Sequence, residues 1–158
     1  MTDNDDSLRE HVAKLLDGRQ AHIEMAMVLD KLSFEDLSRK AKGTPWTLWE
    51  LFEHIRIAQW DILEFSRNPN HQSPEWPKGY WPEETTPKDP AAWSASVKVF
   101  RRDLDAMKEL VLDSNVNLYQ RIPHGDGQTI LREALLIADH NAYHLGQMVL
   151  LMKILGRW

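Results

Sequence analysis

Apolar residues recur at intervals of three and four along most of the chain, which is typical of amphipathic α-helices. In the first such stretch, Ser7 and Glu10 have the spacing of an N-terminal capping box, and the pattern continues to about Leu32. Gly18 interrupts this helix and lowers its propensity, which marks close packing or a pocket. Residues 33–38 predict one short additional helical turn.

Two further long helices have recognisable starts. A second capping box begins at Thr47, and the apolar stripe behind it predicts a helix that ends near Arg67. Asp89 followed by Pro90 has the form of a cap and a first-turn proline, and the pattern after it predicts a helix to about Ser114.

The last helical pattern begins near Thr129 and continues to about Leu155, where Gly156 follows. The apolar residues of this helix lie on nearly all of its sides, so the helix is either central to the fold or half-covered by a partner chain. Strand patterns are nearly absent, and there is no internal repeat. Four long helices and one long loop predict an all-α four-helix bundle, with residues 1–158 forming a single domain.

The connector between the second and third long helices, residues 68–89, lacks helical periodicity and contains five prolines. It also carries aromatic residues, among them Trp76, Tyr80 and Trp81. Loops of this length in compact domains are often lids or binding segments. We therefore favour a lid, with the alternative that these rings only cover an exposed end of the bundle.

Composition limits the classes of function. The formal net charge of −5 disfavours a nucleic-acid-binding protein, which needs a basic surface. The absence of cysteine excludes disulfides, Cys-ligated metals and a thiol nucleophile from the protein itself. The acidic first six residues are unlike a signal peptide, and no apolar run reaches the roughly 18–20 residues of a membrane span. We therefore expect a cytoplasmic protein that binds neither nucleic acid nor membranes.

His140 and His144 are candidate metal ligands because residues four apart lie one above the other on a helix. They lie in the most apolar helix, on the face of Ile137 and Leu151, where burial of an unpaired ring is costly. His54 on the second long helix is the best third ligand, since three histidines leave one coordination position open, as in catalytic zinc sites. The alternative is a set of hydrogen-bonded core histidines.

Two common metal motifs are excluded by inspection. Asn141 occupies the position at which the zinc-peptidase motif H-E-x-x-H requires its glutamate base. No glutamate precedes a histidine by three residues, which excludes the Glu-x-x-His pairs of di-iron carboxylate bundles.

The segment Trp46–His54, the segment His140–Gln147 and the terminal Leu155–Trp158 together resemble the DinB/YfiT-like family of metalloenzymes. The resemblance covers nearly the whole chain and implies an up-down-down-up four-helix bundle. The connector is compatible with this order, because when extended it can span roughly 70 Å, more than the length of one long helix.

The resemblance also implies a divalent metal held by His54, His140 and His144. Characterised members of the family include transferases that use bacillithiol or other small thiols and a mycothiol-dependent isomerase, while many members have no established activity. Three imidazoles suit zinc, nickel, copper or iron about equally in ligand type, and zinc and nickel are the first candidates.

Two further residues have open assignments. His22 either faces the site as a cofactor or substrate contact or lies exposed on the first helix. Asp61 follows His54 by two helical turns on the same face, where it can act as a base or orient a ligand imidazole. Alternatively, Asp61 is a surface or capping carboxylate paired with an arginine. The remaining histidines, in polar or loop contexts, are predicted to face solvent: His11, His71 and His124.

Three functions remain open. The first is a metal-dependent enzyme that activates a low-molecular-weight thiol or water toward an electrophilic small-molecule substrate. The second is a non-catalytic metal- or ligand-binding bundle in stress response or regulation, and the third is a helical scaffold that only dimerises. The apolar last helix predicts a homodimer, unless the Pro-rich connector shields it.

Overall fold

The computed structural model describes residues 3–158, so Met1 and Thr2 of the acidic N-terminal stretch lie outside the described residues. Within this range the chain forms helices and no strand, apart from an isolated antiparallel bridge between Arg121 and Thr129. The all-α prediction is confirmed. The helices are α1 Asp3–Asp17, α2 Met25–Lys31, α3 Phe34–Leu37, α4 Leu48–Arg67, α5 Pro90–Leu112 and α6 Ile130–Ile154.

The predicted first helix is divided into α1 and α2. Gly18 has a φ of +77°, a left-handed conformation that glycine adopts without strain, and its amide donates to the Leu15 carbonyl. The chain therefore leaves the helix after Asp17 instead of continuing to Leu32. The predicted start at Ser7 is also wrong, because α1 already begins at Asp3.

The other predicted helix starts agree with the structure. The Thr47 hydroxyl accepts the Glu50 amide at 3.1 Å, and the Glu50 carboxylate accepts the Thr47 amide at 2.7 Å. Asp89 caps α5 by accepting the Ala92 amide, and Thr129 caps α6. The predicted short turn is α3, which begins with a capping box at Ser33.

The four long helices pack against one another around two large apolar clusters, and a third, smaller cluster contains Leu118, Ile122 and Ile130. α4 contacts α5 and α6, and α1 also contacts α5 and α6. The first cluster includes the fully buried Phe52 and Met148, and the second includes the fully buried Leu63 and Ile137. The segment of α6 that carries His140 and His144 lies between the residues it contributes to these clusters. The packing of α4 against α6 therefore positions the candidate site.

α6 has both buried and exposed apolar residues, as its composition predicts. Ile137 and Leu151 are buried against the other helices. Tyr143, Leu150 and Ile154 are exposed, so the contacts with α1, α4 and α5 do not cover the helix on all sides. None of the helices in residues 3–158 combines the length and the hydrophobicity needed to cross a membrane.

Candidate metal centre

Three imidazole rings from two helices meet where α4 packs against α6. The Nε2 atom of His54 lies 3.2 Å from Nε2 of His144 and 3.2 Å from Nε2 of His140. The three candidate ligand atoms all lie within 4.8 Å of one another. His54 is 5% exposed and His144 is 7% exposed, while His140 is partly buried. The structure thus brings together the three histidines that the sequence predicts as metal ligands.

Hydrogen bonds on the far side of two rings determine which ring nitrogen carries the proton. Nδ1 of His54 donates to the Tyr80 carbonyl at 2.8 Å, and Nδ1 of His144 donates to Oε1 of Gln147 at 2.7 Å. A neutral imidazole has one N–H, so Nε2 of both rings presents a lone pair. Two lone pairs at 3.2 Å repel each other unless a cation lies between them.

This arrangement favours a metal site over the alternative that the three rings are only hydrogen-bonded core histidines. A proton on Nε2 of His140 can bond to His54, but the contact between His54 and His144 then has two acceptors and no donor. A metal ion accounts for both contacts. With zinc–nitrogen bonds of about 2.0–2.1 Å and tetrahedral angles, two ligand nitrogens lie about 3.3 Å apart. The observed 3.2 Å fits this geometry, so the group could hold a metal ion.

Comparison with known families is consistent with this geometry. Residues 18–148, which contain all three histidines, match the model of the DinB superfamily. The chain belongs to the DinB superfamily. No match was found among curated proteins, and none was found among solved structures. The family predicted from the sequence motifs is therefore confirmed, while the match does not specify an activity.

Burial keeps the imidazoles of this DinB-superfamily site neutral. Desolvation, reinforced by repulsion from His144 and His54, lowers the pKa of His140 from 6.5 to about 4. Desolvation also lowers the pKa of His54 and the pKa of His144 below their ordinary value. Because metals bind the neutral imidazole, the rings are in their binding form at neutral pH.

The lowered pKa of His140 predicts a pH-dependent stability of the metal-free protein. Between pH 6.5 and about 4, the unfolded chain binds a proton at this residue while the folded chain does not. The free energy of unfolding should therefore fall as the pH drops through this window. Replacing His140 with asparagine should remove on the order of 2 kcal/mol of that fall.

Urea unfolding at pH 7 and pH 4.5 measures this effect in the wild type, in His140→Asn and in His11→Asn. His11 is exposed on α1 and provides the matched control. The same loss of stability in the wild type and in His140→Asn would contradict the assignment.

The connector contributes directly to the DinB site. The Trp81 ring stacks on His54 at 4.1 Å between ring centroids and an interplanar angle of 4°. Trp46 stacks in turn on Trp81 at 4.7 Å. Trp76, by contrast, is 74% exposed. Tyr80 and Trp81 therefore cover one face of the site, whereas the exposed Trp76 does not.

Asp61 is buried but is not hydrogen-bonded to any of the three histidines. Its Oδ2 accepts the Tyr80 hydroxyl at 2.6 Å, and its Oδ1 lies 2.7 Å from Nε2 of His71. It is neither a direct partner of a ligand imidazole nor a surface carboxylate paired with arginine. Burial and the Asp61 carboxylate raise the pKa of Tyr80 to about 12, so the hydroxyl remains a donor.

The prediction that His71 faces solvent is wrong. Its side chain is only 6% exposed, because the connector turns it inward onto Asp61. His11 and His124 are exposed, as predicted. Pairing with a buried carboxylate is what allows a histidine from a loop to be buried.

His22 is not part of the three-histidine group. It lies in the turn between α1 and α2, not on the first helix, and it is exposed. Its Nδ1 donates to the Ile23 carbonyl at 2.7 Å. It lines a separate cavity of about 140 Å³ together with Asn141 and Leu145, and none of the three histidines lines that cavity.

Two partners of the ligand rings were not predicted from the sequence. Gln147 follows His144 by three residues on α6, a spacing that places its amide beside the imidazole and could have been recognised. Tyr80 uses its backbone carbonyl, for which no side-chain pattern provides a signal.

Proposed function

We propose that this protein is a metal-dependent enzyme of the DinB superfamily that holds one divalent ion on His54, His140 and His144. The supporting observation is that Nε2 of His54 and Nε2 of His144 meet at 3.2 Å while their Nδ1 atoms are already hydrogen-bonded. Zinc or nickel is the preferred ion, since both accept neutral imidazole ligands. In this proposal residues 1–158 form one cytoplasmic domain, an up-down-down-up four-helix bundle.

The proposed reaction is the transfer of a small thiol to an electrophilic small molecule. When bound, the ion supplies a Lewis acid that lowers the pKa of a thiol or water in the open coordination position. The chain has no cysteine, so a thiolate nucleophile must come from a low-molecular-weight cosubstrate. Neither nucleic acid nor a membrane takes part.

The residues around the ligands orient the rings and exclude water. The Tyr80 carbonyl holds His54, and the Gln147 amide oxygen holds His144, so both present Nε2 to the same point. Trp81 covers the face of His54, which keeps water from that side of the ring. Asp61 does not reach the rings, so a proton transfer by Asp61 at the ion is not part of the proposal.

A thiol-conjugation assay tests this function. The metal-loaded protein should consume a small thiol and an electrophile at least about tenfold faster than the metal-free background. Chelation should remove this excess rate, and added zinc or nickel should restore it. His11→Ala, which changes an exposed residue of α1, is expected to behave like the wild type.

The second candidate function is metal or ligand binding without catalysis. The burial of His54 and His144 favours it, because little ring surface is open to a substrate. A protein that binds one ion per chain but does not exceed the background rate with a broad panel of thiols and electrophiles would support this candidate and contradict the enzyme.

We also propose that the protein is a homodimer formed through α6. Tyr143, Leu150 and Ile154 are exposed and lie at positions i, i+7 and i+11, which share one face of a helix. A twofold axis would bury this face of both copies.

Light scattering should give twice the chain mass of 18.4 kDa for the wild type and a monomer for Leu150→Glu. Leu112→Glu, at the exposed end of α5, is the matched control and should leave the dimer intact. A wild-type monomer at micromolar concentration would rule out the dimer.

A further inference from the structure

A partly buried polar network lies beside the metal centre, and its side chains make no hydrogen bond to the three imidazoles. It consists of Asp61, Tyr80 and His71, and we call it the Asp61 anchor. The carboxylate accepts the Tyr80 hydroxyl at 2.6 Å and meets Nε2 of His71 at 2.7 Å. Trp60 packs edge-on against the His71 ring at 5.1 Å. Since buried polar groups need partners, these contacts hold one another in place.

Tyr80 connects the anchor to the metal centre because it contacts α4 at two positions along the helix axis. Its hydroxyl donates to Asp61, and its carbonyl accepts the Nδ1 proton of His54. These two residues of α4 are two helical turns apart, about 10 Å along the axis. With both ends of Tyr80 bound, the carbonyl cannot leave His54 unless the hydroxyl moves or the connector deforms.

The residue after Tyr80 continues this arrangement. Trp81 stacks on the His54 ring, so the same short segment both accepts the Nδ1 proton and restricts rotation of the imidazole. Without these two contacts, His54 can rotate about its side-chain bonds or place its proton on Nε2. In either case Nε2 no longer presents a lone pair toward His140 and His144.

We propose that Asp61 is a positioning residue for His54, acting through Tyr80 to fix the orientation and the Nδ1–H tautomer of the imidazole. This inference rests on the proposed metal site. Asp61 is not a catalytic residue in this account, because two hydrogen bonds and the length of Tyr80 separate it from the reacting atoms.

The rest of the connector has its own attachments to α4, so loss of the anchor should act locally. The Thr47 hydroxyl donates to the Thr85 carbonyl at 2.9 Å, and Nε1 of Trp49 donates to the Glu84 carbonyl at 3.0 Å. These bonds do not involve Asp61 or Tyr80. Variants of the anchor are therefore expected to fold with α4 and the end of the connector in place.

Metal affinity tests the proposal with two variants and a matched control. Asp61→Asn and Tyr80→Phe should each raise the zinc dissociation constant about tenfold, the size expected when a ligand's hydrogen-bond partner loses its support. Asp103→Asn is the control, since Asp103 is a 1% exposed carboxylate of α5 that pairs with Arg102. It should retain the wild-type affinity even if its melting temperature falls.

The absorption spectrum of the cobalt-loaded protein distinguishes positioning from a general loss of stability. The d–d bands report the ligand geometry, so they should change in Asp61→Asn and Tyr80→Phe and stay unchanged in Asp103→Asn. If Asp61→Asn does not fold, Tyr80→Phe still provides the test, because it removes one hydroxyl and keeps the ring. Wild-type affinity and spectrum in a folded anchor variant would overturn the proposal.

Nitrogen-15 NMR of the metal-free protein tests the role of the anchor independently of metal binding. The wild-type His54 ring should carry its proton on Nδ1, and both anchor variants should show a mixture of the two tautomers. A wild type that binds no zinc but shows this change would contradict the metal proposal and support the anchor. An unchanged Nδ1–H tautomer in both variants would overturn the anchor.

Discussion

Replacing His140 with alanine is expected to weaken zinc binding by more than about hundredfold, because the change removes one of three protein ligands. His140 is the most informative of the three residues. Its Nδ1 has no hydrogen-bond partner among the described residues, so the substitution leaves the bonds of Tyr80 and Gln147 to the other two rings intact. The loss of affinity would then report coordination and not a disturbed network.

Competition with a chromophoric chelator at pH 7.5 measures this dissociation constant. His54→Ala and His144→Ala should show losses of similar size. His11→Ala and His124→Ala change exposed histidines and should bind zinc as the wild type does. A His140→Ala protein with wild-type affinity would show that the ion, if bound, lies elsewhere.

Arg9 is expected to make a large contribution to the stability of the fold. Arg9→Ala is expected to lower the free energy of unfolding by about 3–5 kcal/mol, the cost of removing one side of a buried charged network. The guanidinium lies on α1, is 5% exposed as a residue, and donates to three backbone carbonyls at the end of α5 and just beyond it. These carbonyls belong to Val111, Asp113 and Val116, at 2.7, 2.9 and 2.7 Å.

The effect is expected to be this large because two of the three acceptors, the Val111 and Val116 carbonyls, accept no backbone amide among the described residues. The last carbonyls of a helix lack intrahelical donors, and the positive charge also favours the negative end of the helix dipole. Urea unfolding of Arg9→Ala against Arg101→Ala measures the effect, because Arg101 is exposed and its contact with Asp30 is 3.8 Å long. Equal stability of the two variants would refute this role of Arg9.

The sequence predicts elements that are determined by neighbouring residues. The starts of α4, α5 and α6 follow from Thr47, Asp89 and Thr129, whose side chains cap backbone amides three residues later. The metal ligands are also predictable, because His140 and His144 are four apart on one helix. The prediction of His54 as the third ligand depends on the expectation that two helices with apolar stripes pack against each other.

Features that depend on distant contacts were not predicted. The apolar period continues across Gly18, so the pattern alone indicates one helix where the left-handed glycine produces two. The inward turn of His71 and the role of the Tyr80 carbonyl depend on the path of the connector, which has no periodicity. Likewise, nothing near Arg9 in the sequence indicates that its guanidinium donates to carbonyls more than a hundred residues away.

The metal content of the protein, purified without added metal, distinguishes a three-histidine metal centre from a cluster of core histidines. Elemental analysis of the wild type should give about one zinc or nickel ion per chain. The variant in which His54, His140 and His144 are all alanine should contain almost none when it is purified in parallel. Equal metal content in the two proteins would contradict the three-histidine centre.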